Sequence, residues 1–310
     1  MASLYEEIVA SLDELTGGPH EGLRAVHARG VLLGGAFTAT PEARRLSRAA
    51  QFAGEPVRVT ARLSNGSGNP HLPDADRLDG RGLAVKMHLD GDAAYDTVTV
   101  SIPLFFVNTP EGFLEFTRAR KIDPETGQPD PARLGEFLAA HPETGAALPT
   151  ILPALGPPRS YATLAYNSLH AFALVGESGE RTWVRLTWRP EAGVELLAED
   201  EIEAAAVDYL QTEIAERIEA GPIRFELVAT LAGEEDPLDD PTLPWPDERE
   251  KVTLGTLELT DLLPPEKAGD VYVFDPMNLV DGVEPSEDRI LAARPHAYSV
   301  SIERRLAAGG

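Results

Sequence analysis

The chain has 310 residues, 43% of them hydrophobic, which suffices for a sizeable core and argues against a disordered chain. It has no cysteine, so disulfides, thiolate metal sites and a cysteine nucleophile are excluded, and chemistry must rest on His, Tyr, carboxylates, Ser or a cofactor. With 51 acidic against 27 basic residues the formal charge is -24, which speaks against nucleic acid and anionic lipid as partners.

The opening stretch MASLYEEIVASLDEL has no basic leader and no apolar run; it reads as an acidic amphipathic helix over 4–15, stopped at Gly17-Gly18. No segment approaches the roughly 18 apolar residues that cross a membrane, so a soluble cytoplasmic protein without a membrane partner is expected. Residues 23–38 read as β, and a short helix is expected over 41–50. Strands follow over 56–64, 82–89 and 96–102, the last continuing to Phe106, and the polar loop SNGSGNPHLPDADRLDG separates the first two. Thr109-Pro110-Glu111-Gly112 is a cap with proline in the first turn, which starts a helix running to about Arg120. Helices are expected over 131–141, 146–154 and 198–220. Strands are expected over 168–174, 181–189, 222–231 and 251–260, and a last helix over 286–306 with Pro295 inside it. Clustered strands with interspersed helices make one α+β unit on an antiparallel sheet or barrel.

Four segments carry candidate chemistry. In RPHAYSVSIERR, Arg294 and Tyr298 share a helix face one turn apart, and Arg305 lies near the same stripe. A phenol ionises near pH 10, a neighbouring guanidinium favours the phenolate, and a phenolate is a hard ligand for ferric iron. In GLRAVHARG, His27 sits between the small residues Ala25 and Ala28, with the residue type that moves protons near neutrality. In VRVTARLSNGSG, Arg62 and Ser64 alternate onto one strand face, where Ser64 could orient an imidazole and Arg62 bind a carboxylate. In VSIPLFFVNTPEGFLEF, Phe105, Phe106 and Phe113 offer aromatic walls to a flat cofactor. Each segment also has a plain reading, as a buried tyrosine, a core histidine, strand polar residues or core phenylalanines. No GxGxxG, P-loop, GxSxG or HExxH motif is present.

Taken in order, RAVHARG (24–30), ARLSNGSG (61–68), DGRGLAVKMH (79–88), IPLFFV (102–107) with Phe113, and FDPMNLVDGVEPSEDRILAARPHAY (274–298) resemble the motifs of the catalase superfamily. The small catalase-related peroxidases are most similar, and the likeness spans roughly residues 20–305. It implies a minimal catalase-like fold: an antiparallel eight-stranded β-barrel with surrounding helices and without the C-terminal domain. Residues 1–310 then form a single haem-binding domain, with an N-terminal helix in 1–18 and the core in 20–305. It also implies haem b (iron protoporphyrin IX), with Tyr298 as the iron ligand and Arg294 supporting its phenolate. By the same likeness His27 is the distal acid–base oriented by Ser64. Arg24, Arg62 and Arg305 bind the propionates, and Phe105, Phe106 and Phe113 line the pocket.

The chain departs from the large catalases where they carry a distal asparagine; alignment on Pro103 puts Val100 there. A valine cannot hold a second peroxide by hydrogen bonding, so a haem peroxidase using peroxide and a small-molecule reductant is expected ahead of a true catalase. A lipid-hydroperoxide rearranging enzyme and a haem-binding barrel without turnover are the further alternatives. The likeness carries over no tetramer or nicotinamide site; a monomer or homodimer is expected. His20, His71, His88, His141, His170 and His296 receive no role.

Overall fold

The computed structural model describes residues 2–123, 125–266 and 272–308. In chain order the elements are α1 (Leu4–Thr16), β1 (Gly30–Ala39), α2 (Pro41–Leu46), β2 (Val57–Asn65), β3 (Arg81–His88), β4 (Ala94–Val100), α3 (Pro110–Ala119), α4 (Pro131–Ala140) and α5 (Pro142–Ile151). There follow β5 (Tyr166–Val175), β6 (Arg181–Pro190), α6 (Glu199–Ala204), α7 (Tyr209–Ala220), β7 (Ile223–Leu231), β8 (Lys251–Leu262), β9 (Val283–Pro285) and α8 (Arg289–Ala308). Every pairing is antiparallel in the order β4-β3-β2-β1-β8-β7-β6-β5, and Val100 of β4 meets Asn167 of β5, so eight strands close into a barrel. β9 adds to β5 outside that closure. The α+β expectation of an eight-stranded antiparallel barrel with surrounding helices is met.

Strand alternation decides what each face meets. Val59, Ala61 and Leu63 of β2 point into the barrel with Leu83, Val85, Met87, Phe37, Phe225 and Trp188, and these side chains fill it. An eight-stranded barrel is just wide enough to be filled in this way. The alternate residues, Thr60, Arg62 and Ser64, therefore lie on the outer face, against the segments that flank the barrel. Among the described residues no helix is long and apolar enough to cross a membrane.

Three differences from the sequence expectations have local causes. β1 starts only at Gly30, because the backbone of residues 27–28 bonds to the loop after β2 (His27 N to Gly66 O, 2.9 Å; Ala28 N to Ser67 O, 3.0 Å). β4 ends at Val100 rather than Phe106: Pro103 interrupts the ladder, and the backbone beyond it bonds to a distant loop and to α5 (Phe105 N to Pro241 O, 2.9 Å; Thr144 Oγ1 to Phe106 O, 2.6 Å). The expected helix over 198–220 is two helices, because the Asp74 carboxylate caps the second (Leu210 N to Asp74 Oδ2, 2.9 Å) while Asp74 N bonds Val207 O at 2.8 Å.

Candidate active site

Residues directly opposite across antiparallel strands share a face. Gly30, Ser64, Gly82 and Val100 form one such row over β1, β2, β3 and β4, and Leu32, Arg62, Ala84 and Val98 form the next. His27 lies on the first row. Its Nδ1 is 3.1 Å from Ser64 Oγ, and its ring sits over Gly82, where an added Cβ would come within 2.9 Å of His27 Cε1, His27 Nδ1 and Ser64 Oγ. Only a glycine admits the imidazole there. The loop that carries His27 has the same requirement: a Cβ on Gly68 would lie 2.0 Å from the Ala25 carbonyl oxygen. Gly66 and Gly68 thus serve close backbone packing behind the histidine.

His27 adopts φ 56°, a left-handed conformation that a non-glycine residue holds only when its surroundings impose it. Burial, then the positive charges of Arg62, Arg294 and Arg24, push its pKa down to about 3, so the imidazole is neutral at ordinary pH. With Nδ1 engaged by Ser64, Nε2 is the nitrogen left to exchange protons.

α8 forms another wall of the candidate site. Asp288 caps its first turn (Oδ1 to Ile290 N, 2.8 Å, and to Leu291 N, 3.2 Å), and one turn apart on the helix Arg294 Nε donates to the Tyr298 hydroxyl at 2.9 Å. Tyr298 is partly buried, and Arg294 also acts electrostatically on His27. The helix is tied to the histidine segment where Ala25 N meets Ser301 Oγ at 3.5 Å. Arg305 does not flank the phenol: seven residues on, it lies about 10 Å further along the axis and is buried beside Arg24 and Glu266.

Arg24, Arg62 and Arg305 converge. Arg24 grips the Glu266 carboxylate with both terminal nitrogens (Nη2 to Oε1, 2.6 Å), and Arg62 Nε reaches Oε2 at 3.3 Å. Burial and the charge of Arg24 push Arg62 down to about 9 and Arg305 down to about 10, so both remain cationic. Burial works to raise the Glu266 pKa, but the hydrogen bonds and charge of Arg24, with the charges of Arg62 and Arg305, leave it lowered.

Phe105, Phe106 and Phe113 come together as expected, with ring centroids 4.4, 5.8 and 5.9 Å apart, although no strand holds them. Their cluster continues through Phe116 and reaches α8 at Ile290, about two turns ahead of Tyr298.

Two residues the sequence reading left without a role belong to this wall. His170 is buried and its Nδ1 is 2.6 Å from Asp288 Oδ2; burial first, offset by Asp288, leaves its pKa lowered. Its Nε2 is buried without a hydrogen-bond partner among the described residues, and the Arg294 charge acts on the ring. The chain reaches His170 through Leu169 at φ 65°, where the register of β5 slips between Asn167 and Ala171. A lone histidine in the apolar strand YNSLHAFALV, and an aspartate directly before a helix, were the available signals.

These features suit a flat dianionic redox cofactor. A guanidinium cluster already closes on one carboxylate, Arg305 Nε and His170 Nε2 are buried and without a partner among the described residues, a phenol is held by arginine, and a neutral imidazole lies on a row cleared by glycine. The catalase family model matches residues 20–309, and the chain belongs to the catalase family. The family implies a haem cofactor, and the residues present fit one.

Two relatives named catalase-related peroxidase match nearly end to end. That of Synechococcus elongatus is 36% identical over 298 residues, covering 96% of this chain and 87% of the relative. That of Mycolicibacterium paratuberculosis is 39% identical over 291 residues, covering 94% and 91%. The catalase of Pseudomonas syringae pv. syringae is 33% identical over 300 residues, which is 93% of this chain but 58% of that protein. The fold matches a fungal catalase structure with a TM-score of 0.80 at 24% identity, over 93% of this chain and 60% of the other. The chain thus shares the catalase fold and spans about 60% of the length of that structure.

Proposed function

We propose that this protein is a haem peroxidase, reducing hydrogen peroxide or an organic hydroperoxide at the expense of a small organic electron donor. The observation that carries the reading is His27: a neutral imidazole, fixed by Ser64, seated on Gly82 and acted on by the charge of the arginine that also holds Tyr298. Tyr298 is the proposed iron ligand, its hydroxyl held by Arg294 Nε. Arg24, Arg62 and Arg305 would hold the propionates of haem b, and Phe105, Phe106 and Phe113 the apolar part of the macrocycle. When bound, the haem supplies an iron that takes up the oxidising equivalents of a peroxide and passes them to a donor. His27 Nε2 accepts the proton of one peroxide oxygen and returns it to the other as the O–O bond breaks, while Ser64 keeps the ring in register. The names of the two relatives that match end to end support the peroxidase class.

Dismutation is the second reading, favoured by the matching catalases and opposed by Val100. Val100 pairs with Gly82, so an apolar side chain ends the row beside His27 and offers no hydrogen bond to a second peroxide. The two readings separate when oxygen release and donor oxidation are followed in one vessel. Peroxide loss that depends on the donor with little oxygen is expected, and His27→Ala should slow it by about 10²–10⁴-fold. Vigorous oxygen release without any donor would establish dismutation instead.

A further inference from the structure

Arg24, Arg62 and Arg305 come from the segment before β1, from β2 and from α8, and their common carboxylate comes from a fourth place, the stretch after β8. We infer that Glu266 is the counter-ion of this cluster in the haem-free chain, and that haem uptake is a carboxylate exchange in which a propionate takes over the guanidinium fork that Glu266 occupies. The inference rests on the reading of the cluster as the propionate site.

Three observations carry it. First, Arg62 and Arg305 are only 5% and 8% exposed, and like charges gathered at such burial need an anion among them. Glu266 is that anion: it engages Arg24 through both oxygens and Arg62 through one. Second, a guanidinium fork matches one carboxylate, so the Arg24 fork cannot accept a propionate until Glu266 lets go. Arg305, by contrast, keeps a buried Nε with no hydrogen-bond partner among the described residues, a donor open to a carboxylate. The two propionates of a haem therefore meet unequal positions, one with donors to spare and one already filled. Third, the filled position is not sealed. The Arg24 and Glu266 side chains are 17% and 16% exposed, and a cavity of about 390 Å³ lined by Arg24, Arg304 and Arg305 opens beside them between α1 and α8.

The test follows haemin uptake by the haem-free full-length chain, as growth of the Soret band after rapid mixing. It compares wild type with Glu266→Gln, Glu266→Asp and a control, Glu303→Gln, which removes one exposed carboxylate of α8. Losing one charge-assisted bond before entry should speed uptake by Glu266→Gln about tenfold. The haem-free Glu266→Gln chain should also melt at a lower temperature, while Glu303→Gln matches wild type. With the haemin dimethyl ester, which has no propionate charge to exchange, the Glu266→Gln and wild-type rates should agree. Equal uptake of haemin by Glu266→Gln and wild type, or the same acceleration with the diester, overturns the inference. Should Glu266→Gln not fold, Glu266→Asp keeps the charge but shortens the reach, so it should load haemin faster than wild type, and a rate no faster overturns the inference. If wild type itself develops no Soret band with haemin, the haem reading fails, and this inference with it.

Discussion

Gly82→Ala adds one methyl group at the point where the proposed mechanism has least room. That methyl would lie 2.9 Å from His27 Cε1, His27 Nδ1 and Ser64 Oγ, against the 3.5 Å or more of a comfortable contact, so about 0.6 Å or more must be found. β3 cannot supply it, because Gly82 is paired with Ser64 on one side and Val100 on the other. Ser64 is equally fixed between Gly30 and Gly82. The imidazole must yield, and its backbone is already held at φ 56° by the bond to Gly66. Over-packing of this kind costs about 1–3 kcal/mol of stability. The shift also breaks the His27–Ser64 bond, and displacement of a proton-transfer group by about 1 Å costs on the order of 10²-fold in rate. Peroxide-dependent donor oxidation, normalised to Soret absorbance, should therefore fall about 100-fold in Gly82→Ala with haem still bound. Turnover per haem equal to wild type would refute the argument that this glycine makes room for a catalytic imidazole.

Because His27 is pushed down to about 3 by burial and by Arg62, Arg294 and Arg24, the peroxide rate should stay level as pH falls through 6.5 and decline only toward pH 4 and below; a loss centred near 6.5 contradicts this. In the haem-free chain the same group costs stability on acidification. The unfolded imidazole takes a proton near 6.5 and the folded one near 3, so the penalty is absent above 6.5 and grows by up to about 1.4 kcal/mol per pH unit between those values. Denaturant titrations should show a shallower pH slope in His27→Gln. Val100→Asn places an amide on the row beside His27, and one added hydrogen bond to peroxide should raise oxygen release about tenfold; an unchanged yield would remove Val100 as the reason for peroxidase behaviour. Asp288→Ala removes the cap of α8 and leaves the buried His170 Nδ1 unpaired, which should cost about 2–4 kcal/mol in chemical denaturation, and a loss below 1 kcal/mol would deny that this pair anchors the helix.

What the sequence disclosed followed the range of the interactions. Arg294 and Tyr298 are four residues apart on one helix, so their contact is set by helix geometry and was legible. Ser64 and Arg62 were placed on one face by strand alternation alone. The partner of Ser64 was not legible from periodicity, because His27 stands in an irregular segment whose path is set by the loop around Gly66 and Gly68; only the family likeness paired them. Phe105 and Phe106 looked like a strand end because apolar β-formers surround them, whereas a distant loop at Pro241 and Thr144 of α5 hold their backbone. The alanine-rich run before Val207 carried no break signal, since the break comes from Asp74, more than a hundred residues earlier. His170 and Asp288 escaped notice because a buried hydrogen-bonding histidine and a core residue occupy the same strand positions until the partner 118 residues away is known. Glu266 was invisible for the same reason, since its partners Arg24 and Arg62 lie 242 and 204 residues away.

The central claim is that Tyr298 binds the iron of a haem whose other face meets His27. Absorption and electron paramagnetic resonance spectra of the purified protein and of Tyr298→Phe, each reconstituted with haemin, test it most directly. Wild type should give a Soret band with a high-spin ferric signal and phenolate character that is lost in Tyr298→Phe. Identical spectra from the two proteins, or no Soret band in wild type, would contradict the account.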